Sequence, residues 1–117
     1  MKSRTLLAVL LLGQSLGAHA HAFLDHATPP VGSTVSTPPA QVSLRFTQRL
    51  EPAFSRVQVQ DAAGKRVDRD DAHLGDDATI LAVSLGPLAA GRYVVKWRVL
   101  SVDTHVTEGD YTFTVRP

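Results

Sequence analysis

The sequence contains no cysteine in its 117 residues. The chain therefore has no disulfide framework, no thiolate ligand for a metal and no cysteine nucleophile. It also lacks an excess of one charge, because 12 Lys and Arg stand against 11 Asp and Glu. Without a basic field that could hold phosphate backbones, nucleic acid is not expected as a partner. The sequence also has no G-x-S-x-G elbow, no H-E-x-x-H pair and no Gly-rich phosphate loop, so the common hydrolase and nucleotide-binding signatures are missing.

Long apolar runs are scarce, and the longest lies near the beginning of the chain. Residues 6–12, LLAVLLL, follow the basic residues Lys2 and Arg4 and are too few to span a bilayer. The sequence Ala18-His19-Ala20 follows, and its A-x-A pattern is typical of a cleavage site. We therefore expect a signal peptide over residues 1–20 that is cut after Ala20.

Two other readings of this leader stay open. A cut after Ala22 also satisfies the small-residue rule, and the apolar run could instead form a buried helix or a membrane anchor. With the cut after Ala20, residues 21–117 form one exported domain that does not span the membrane. Its expected location is the periplasm if the host is Gram-negative.

The rest of the chain alternates between apolar and polar residues, which is the pattern of half-buried β-strands. Pro-rich and Gly-containing turns separate these runs, and no stretch sustains a helical period. The pattern predicts an all-β domain of about seven strands, an antiparallel Greek-key sandwich or barrel of the immunoglobulin-like type. The predicted core-facing residues are Val42, Leu44, Phe46, Val57, Val59, Leu81, Val83, Leu85, Tyr93, Val95, Trp97, Val99, Tyr111, Phe113 and Val115.

Near the end of the chain, Asp103 and His105 form a D-x-H motif. If this segment is extended, a carboxylate and an imidazole point to the same side, about 7 Å apart along the chain. The residues 108–110, Glu-Gly-Asp, are expected to form a turn into the last strand. Alone, such a pair is more often an ordinary hydrogen-bonded surface pair than a functional site.

Cleavage after Ala20 would supply the D-x-H motif with two further metal donors. A chain that begins with His21 offers a free α-amine and an imidazole, which can bind one metal as a chelate. With His105 and Asp103, the donor set becomes three nitrogens and one carboxylate oxygen. Cu(II) prefers tetragonal N,O coordination and heads the divalent affinity order, whereas Zn(II) would take similar donors in a tetrahedral arrangement. The sequence alone leaves the geometry open.

The remaining histidines fit a metal site less well. His26 is predicted to be a surface or capping residue, with a role as a weak auxiliary ligand as the alternative. His73 lies in an acidic stretch, residues 68–77, which is expected to be a solvated loop. No EF-hand spacing supports a cation site in that stretch.

The sequence resembles the CopC family of periplasmic copper-binding, copper-resistance proteins over the whole of residues 21–117. The resemblance rests on His21, on ATPPVGSTV, on VSLRF with the following LEPAFSRVQV, and on GRYVVKWRVLSVDTHVTEGDYTFTV. It implies a seven-stranded Greek-key β-fold in which His21, Asp103 and His105 hold one Cu(II) per chain. It also implies a CopD-like inner-membrane protein as a partner.

One departure from the family concerns methionine. Some members carry a Met-rich loop for Cu(I), but here Met1 is the only methionine, so soft thioether ligands are missing. The resemblance therefore favours a Cu(II)-only member that carries or buffers copper and is not an enzyme. Two other functions remain open at this point: a small copper monooxygenase or oxidase with an N-terminal histidine brace, and a metal-free immunoglobulin-like structural domain.

Overall fold

Alternating apolar residues form eight strands in the computed structural model, which describes residues 22–117. The strands are β1 (Leu24–Thr28), β2 (Thr34–Val35), β3 (Gln41–Phe46), β4 (Arg56–Asp61), β5 (His73–Leu74), β6 (Ile80–Ser84), β7 (Gly91–Leu100) and β8 (Val106–Val115). A single 3-10 turn, Pro52–Phe54, precedes β4. Within this part of the chain no helix is long and apolar enough to cross a membrane. The expected leader and His21 lie outside the described residues.

The strands form two four-stranded sheets with the orders β1-β3-β6-β5 and β2-β8-β7-β4. Strands that are adjacent in a sheet are mostly not consecutive in the chain, as in Greek-key sandwiches. The predicted all-β sandwich is confirmed, whereas the alternative of a closed barrel is not formed. The described residues form eight strands where the pattern predicts about seven, and β2 and β5, of two residues each, are too short to show alternation. The pairing is also not wholly antiparallel, since β2 runs parallel to β8.

The core lies between the two sheets and is built from the alternating residues that the sequence predicts. The side chains of Phe46 and Phe113 are almost fully buried. Tyr93 stacks on Phe113 with ring centroids 5.4 Å apart, and Trp97 meets Phe46 edge-on at 6.2 Å. Each predicted core-facing residue is buried except Trp97, which packs against the core while remaining partly exposed.

Gly109 lies inside β8, so the turn predicted for residues 108–110 is wrong. It pairs with Trp97 of β7, and a Cβ built on Gly109 would lie 2.5 Å from the indole ring. Real Cβ atoms essentially never approach so closely. The indole of Trp97 therefore leaves no room for a larger residue at position 109. A strand glycine that admits a close neighbour and a turn glycine have the same signature in sequence.

The loop after β4 is fixed to that strand by the carboxylate of Asp68, whose side chain has no exposed surface. One oxygen accepts the N–H of Val59 at 2.8 Å, and Arg66 donates to both oxygens. The backbone N–H of Asp70 donates a further bond at 2.9 Å. Burial alone would raise the pKa of Asp68, but the hydrogen bonds from Arg66 and the backbone outweigh it and hold the pKa below its ordinary value.

Replacing Asp68 by asparagine is expected to lower the free energy of unfolding at pH 7 by about 1–3 kcal/mol, since one amide oxygen cannot accept four donors. A carboxylate with a depressed folded pKa stabilises the fold above its unfolded pKa of about 3.9 and loses this effect as the pH falls through the folded value. The difference between Asp68→Asn and wild type should therefore shrink below about pH 4 in urea unfolding. Asp76→Asn, on an exposed residue between β5 and β6, is the control and should change little. If the two proteins differ equally in free energy of unfolding at pH 7 and at pH 3, the charge of Asp68 does not contribute to stability.

Candidate metal centre

The D-x-H motif lies in a tight turn between β7 and β8. The N–H of Ser101 donates to the carbonyl of His105 at 3.0 Å, and the N–H of Thr104 donates to the carbonyl of Ser101 at 2.9 Å. Thr104 adopts a left-handed conformation with φ of 72°. The segment is not extended, because these hydrogen bonds fold the chain back on itself where β7 ends. The turn nevertheless brings the two motif side chains together.

Asp103 and His105 form a close pair at the surface. Nδ1 of His105 lies 3.5 Å from Oδ1 of Asp103, and their side chains are 44% and 43% exposed, respectively. Ser101 donates its hydroxyl proton to the same carboxylate oxygen. A carboxylate and an imidazole so placed can both reach a metal ion that approaches from solvent.

The carboxyl of Asp103 is held in its ionised form. The hydrogen bond from Ser101 is the largest cause that places its pKa below the ordinary value, and His105 acts in the same direction. Partial desolvation opposes both of these effects. Ligands must be deprotonated to bind a metal, so this environment favours the binding form of the carboxylate.

The first described residues lie beside the start of β8. The hydroxyl of Thr107 donates to the carbonyl of Ala22 at 2.6 Å, and Ala22 is only 1% exposed. Phe23 exchanges two hydrogen bonds with Thr47, one through its N–H at 3.0 Å and one through its carbonyl at 2.9 Å. The chain therefore enters the fold at the end of the sandwich that carries the D-x-H turn. His21, the residue before Ala22, lies outside the described residues.

The other two histidines of the described residues lie in the sheet that does not contain β7 and β8. His26 is exposed in β1 and pairs in register with Arg45. His73 begins β5, and its Nδ1 lies 2.9 Å from the carbonyl of Asp71. Residues 22–117 contain no group of three or more His, Cys, Asp or Glu side chains that could hold a metal. Of the expected ligands, the described residues thus bring together Asp103 and His105.

Ser101 and Thr107 contribute to the site although the sequence assigned them no role. Ser101 is part of the S-x-D-x-H motif, so its position was a signal that could have been used. The contact of Thr107 with Ala22 joins residues 85 positions apart, and no local pattern reveals it.

Exposed apolar side chains gather at the same end of the sandwich. Val102 and Val106 flank the D-x-H pair and are 48% and 46% exposed. Phe23 adjoins Ala22, and Phe54 precedes Ser55, whose hydroxyl accepts the N–H of Leu100 at 3.1 Å. Among the large apolar residues exposed within residues 22–117, only Val31 lies elsewhere.

Comparison with known proteins identifies relatives of this fold and sequence. The family model described as the CopC domain matches residues 24–116. The crystal structure of CopC from Methylosinus trichosporium OB3b is 41% identical, with a TM-score of 0.75 over 83% of this chain and 95% of that one. PcoC, a methionine-rich copper resistance protein from Escherichia coli, is 32% identical, with a TM-score of 0.74 over 83% of this chain and 100% of that one. The copper resistance protein C of Pseudomonas syringae pv. tomato is 34% identical over 96% of this chain and 93% of its own length.

Proposed function

The chain belongs to the CopC family of copper resistance proteins, and from that membership we propose that it binds one Cu(II) ion through His21, Asp103 and His105. His21 supplies its α-amine and its imidazole, and the other two residues supply a carboxylate oxygen and an imidazole nitrogen. The proposed function is reversible copper binding for resistance and homeostasis rather than catalysis.

The observation that carries this proposal is the convergence of two distant parts of the chain. The Asp103 and His105 side chains lie within 3.5 Å of each other at one end of the sandwich. Ala22 lies at the same end, hydrogen-bonded to Thr107, two residues after His105. His21 is joined directly to Ala22, and this connection supports its amine and imidazole as the remaining ligands.

The proposed donor atoms support Cu(II) as the bound ion rather than Cu(I) or Zn(II). Three nitrogens and one carboxylate oxygen suit the tetragonal coordination that Cu(II) prefers. Cu(I) prefers soft sulfur ligands, and residues 22–117 contain neither cysteine nor methionine. The contrast with the methionine-rich PcoC supports a chain that handles Cu(II) alone.

Processing of the leader is part of the proposal. Removal of residues 1–20 frees the α-amine of His21, whereas in the uncut chain this nitrogen is an amide. The basic, apolar, A-x-A order of the leader supports export, and the family supports the periplasm as the destination. The Cu(II) site would therefore form only after export.

A copper carrier must also release its ion, and we include a CopD-like inner-membrane protein as the receiving partner. The exposed apolar residues Phe23, Phe54, Val102 and Val106 lie at the same end of the sandwich as the proposed site. Exposed apolar groups that cluster on a small domain are typical of protein contact sites. Their position supports transfer of copper at this end of the sandwich.

A Cu(II) competition titration on natively secreted protein, with its intact mass recorded, tests the proposed function. We expect one-to-one binding by a chain that begins at His21. A synthetic peptide of residues 21–24 with an amidated C-terminus has the same amine and imidazole but no other histidine or carboxylate, and it should bind more weakly by at least about 100-fold. Equal binding by the protein and the peptide would remove Asp103 and His105 from the site. Negligible binding by both would favour the metal-free structural domain.

A further inference from the structure

Ser101 is fully buried, with a relative exposure of 0%, although it lies next to a surface turn. Buried polar residues are rare in the described part of the chain, where Ser55 is the other one, at 8%. Burying a hydroxyl costs free energy unless it forms hydrogen bonds. The partners of these two hydroxyl groups therefore indicate what each serine does.

The hydroxyl of Ser101 contacts both of the proposed metal-binding residues of the turn. It donates to Oδ1 of Asp103, and it accepts the backbone N–H of His105 at 3.3 Å. A single oxygen atom thus fixes the carboxylate of one residue and the backbone of the other. Because Ser101 also lies in the sandwich interior, these contacts join the surface pair to a rigid part of the fold.

A purely structural role would be to close the turn, but the backbone already does this. The N–H of Ser101 bonds to the carbonyl of His105, and its carbonyl accepts the N–H of Thr104. Any residue except proline could make both bonds at this position. A side-chain hydroxyl is required for the contact with the Asp103 carboxylate and for the bond that accepts the N–H of His105.

Ser55 provides the comparison within the same region. Its hydroxyl bonds to the N–H and the carbonyl of Leu100, the residue before Ser101, at 3.1 and 3.4 Å. It therefore ties the 3-10 turn to the end of β7 without a contact to Asp103 or His105. Loss of either hydroxyl removes buried hydrogen bonds, but only the loss at Ser101 affects the carboxylate.

We propose that Ser101 is a positioning residue that holds the Asp103 carboxylate and His105 in the arrangement that binds the metal. The inference rests on the proposed copper-binding function and assigns the first residue of the S-x-D-x-H motif a role in it. A carboxylate fixed before the metal arrives loses less freedom on binding, and residues that hydrogen-bond to metal ligands commonly set affinity in this way.

The test compares Ser101→Ala with Ser55→Ala in the processed protein. Ser101→Ala is expected to weaken Cu(II) binding by about 10–100-fold, the usual effect of losing a hydrogen bond to a metal ligand. It should also change the copper hyperfine coupling in the electron paramagnetic resonance spectrum. Ser55→Ala should leave both unchanged, although it too loses buried hydrogen bonds. Ser101→Thr, which keeps the hydroxyl, should restore the wild-type spectrum.

Several outcomes would overturn this role. Equal affinity and an unchanged spectrum in Ser101→Ala would reduce Ser101 to a structural residue. If Ser101→Ala does not fold, the metal-free wild-type protein supplies a second measurement. Its Ser101 hydroxyl proton should exchange slowly with water in nuclear magnetic resonance spectra, and a proton that exchanges too fast to be seen would contradict the bond to Asp103. Failure of wild type itself to bind Cu(II) would instead reject the proposed function.

Discussion

His105→Ala should weaken Cu(II) binding by more than about 100-fold, because losing a ligand exceeds the 10–100-fold effect of losing a group that only supports one. The side chain of His105 is 44% exposed, so its removal leaves no cavity in the core. The unfolding transition should therefore stay close to that of wild type. A competition titration together with urea unfolding measures both quantities.

The other exposed histidines supply the matched controls for this substitution. His26→Ala and His73→Ala each remove one imidazole from the surface of a strand outside the D-x-H turn. Neither substitution should change the Cu(II) affinity by more than about twofold, because surface substitutions away from a site usually have small effects. A loss in His26→Ala equal to that in His105→Ala would make His26 a ligand and would require a different site. An unchanged affinity in His105→Ala would remove the D-x-H motif from the proposal.

Strand alternation predicted the faces of the sandwich well, because a core that lies between two sheets imposes a period of two. Val42, Leu44 and Phe46 of β3 show this, since all three are buried as expected. The same rule could not find β2 and β5, whose two residues each are too short for any period. Their pairing depends on strands that are distant in the sequence, β8 for β2 and β6 for β5.

Gly109 shows a second limit of sequence patterns. A glycine between Glu108 and Asp110 has the composition of a turn, and only the cross-strand neighbour reveals its purpose. Gly109 has no Cβ, so the indole of Trp97 can pack against its backbone. The glycine is therefore part of β8 and does not form a turn. As a result β8 begins at Val106, directly after the D-x-H turn, and the pair lies between two long, paired strands.

The candidate site was predictable in its residues but not in its geometry. The motif spacing identified Asp103 and His105, whereas the turn that joins them depends on the buried Ser101 and on the left-handed Thr104. The position of the chain start depends on the bond between Thr107 and Ala22, which is a tertiary contact. Composition and spacing carry no information about such a contact.

Adding one alanine before His21 is expected to weaken Cu(II) binding by more than about 100-fold, again because a ligand is lost. The extension converts the α-amine of His21 into an amide and moves the free amine one residue away, while every side chain is retained. The described fold begins at Ala22, whose hydrogen bond to Thr107 does not involve the added residue. Stability of the metal-free protein should therefore be unchanged, and a competition titration with intact-mass control measures the loss.

The pH dependence separates loss of the amine from a steric effect of the added residue. A free α-amine ordinarily has a pKa of about 7.7–8.0, and its proton must leave before the nitrogen binds the metal. As the pH falls through this range, the apparent affinity of the wild-type protein should fall because protons compete for the amine. The extended protein still carries a free α-amine on the added alanine, so the matching variant is a protein acetylated at the α-nitrogen of His21, whose weaker binding should change less over the same range. Parallel pH profiles for the wild-type and acetylated proteins would mean that the amine is not a ligand and that the added group acts only by crowding Asp103 and His105.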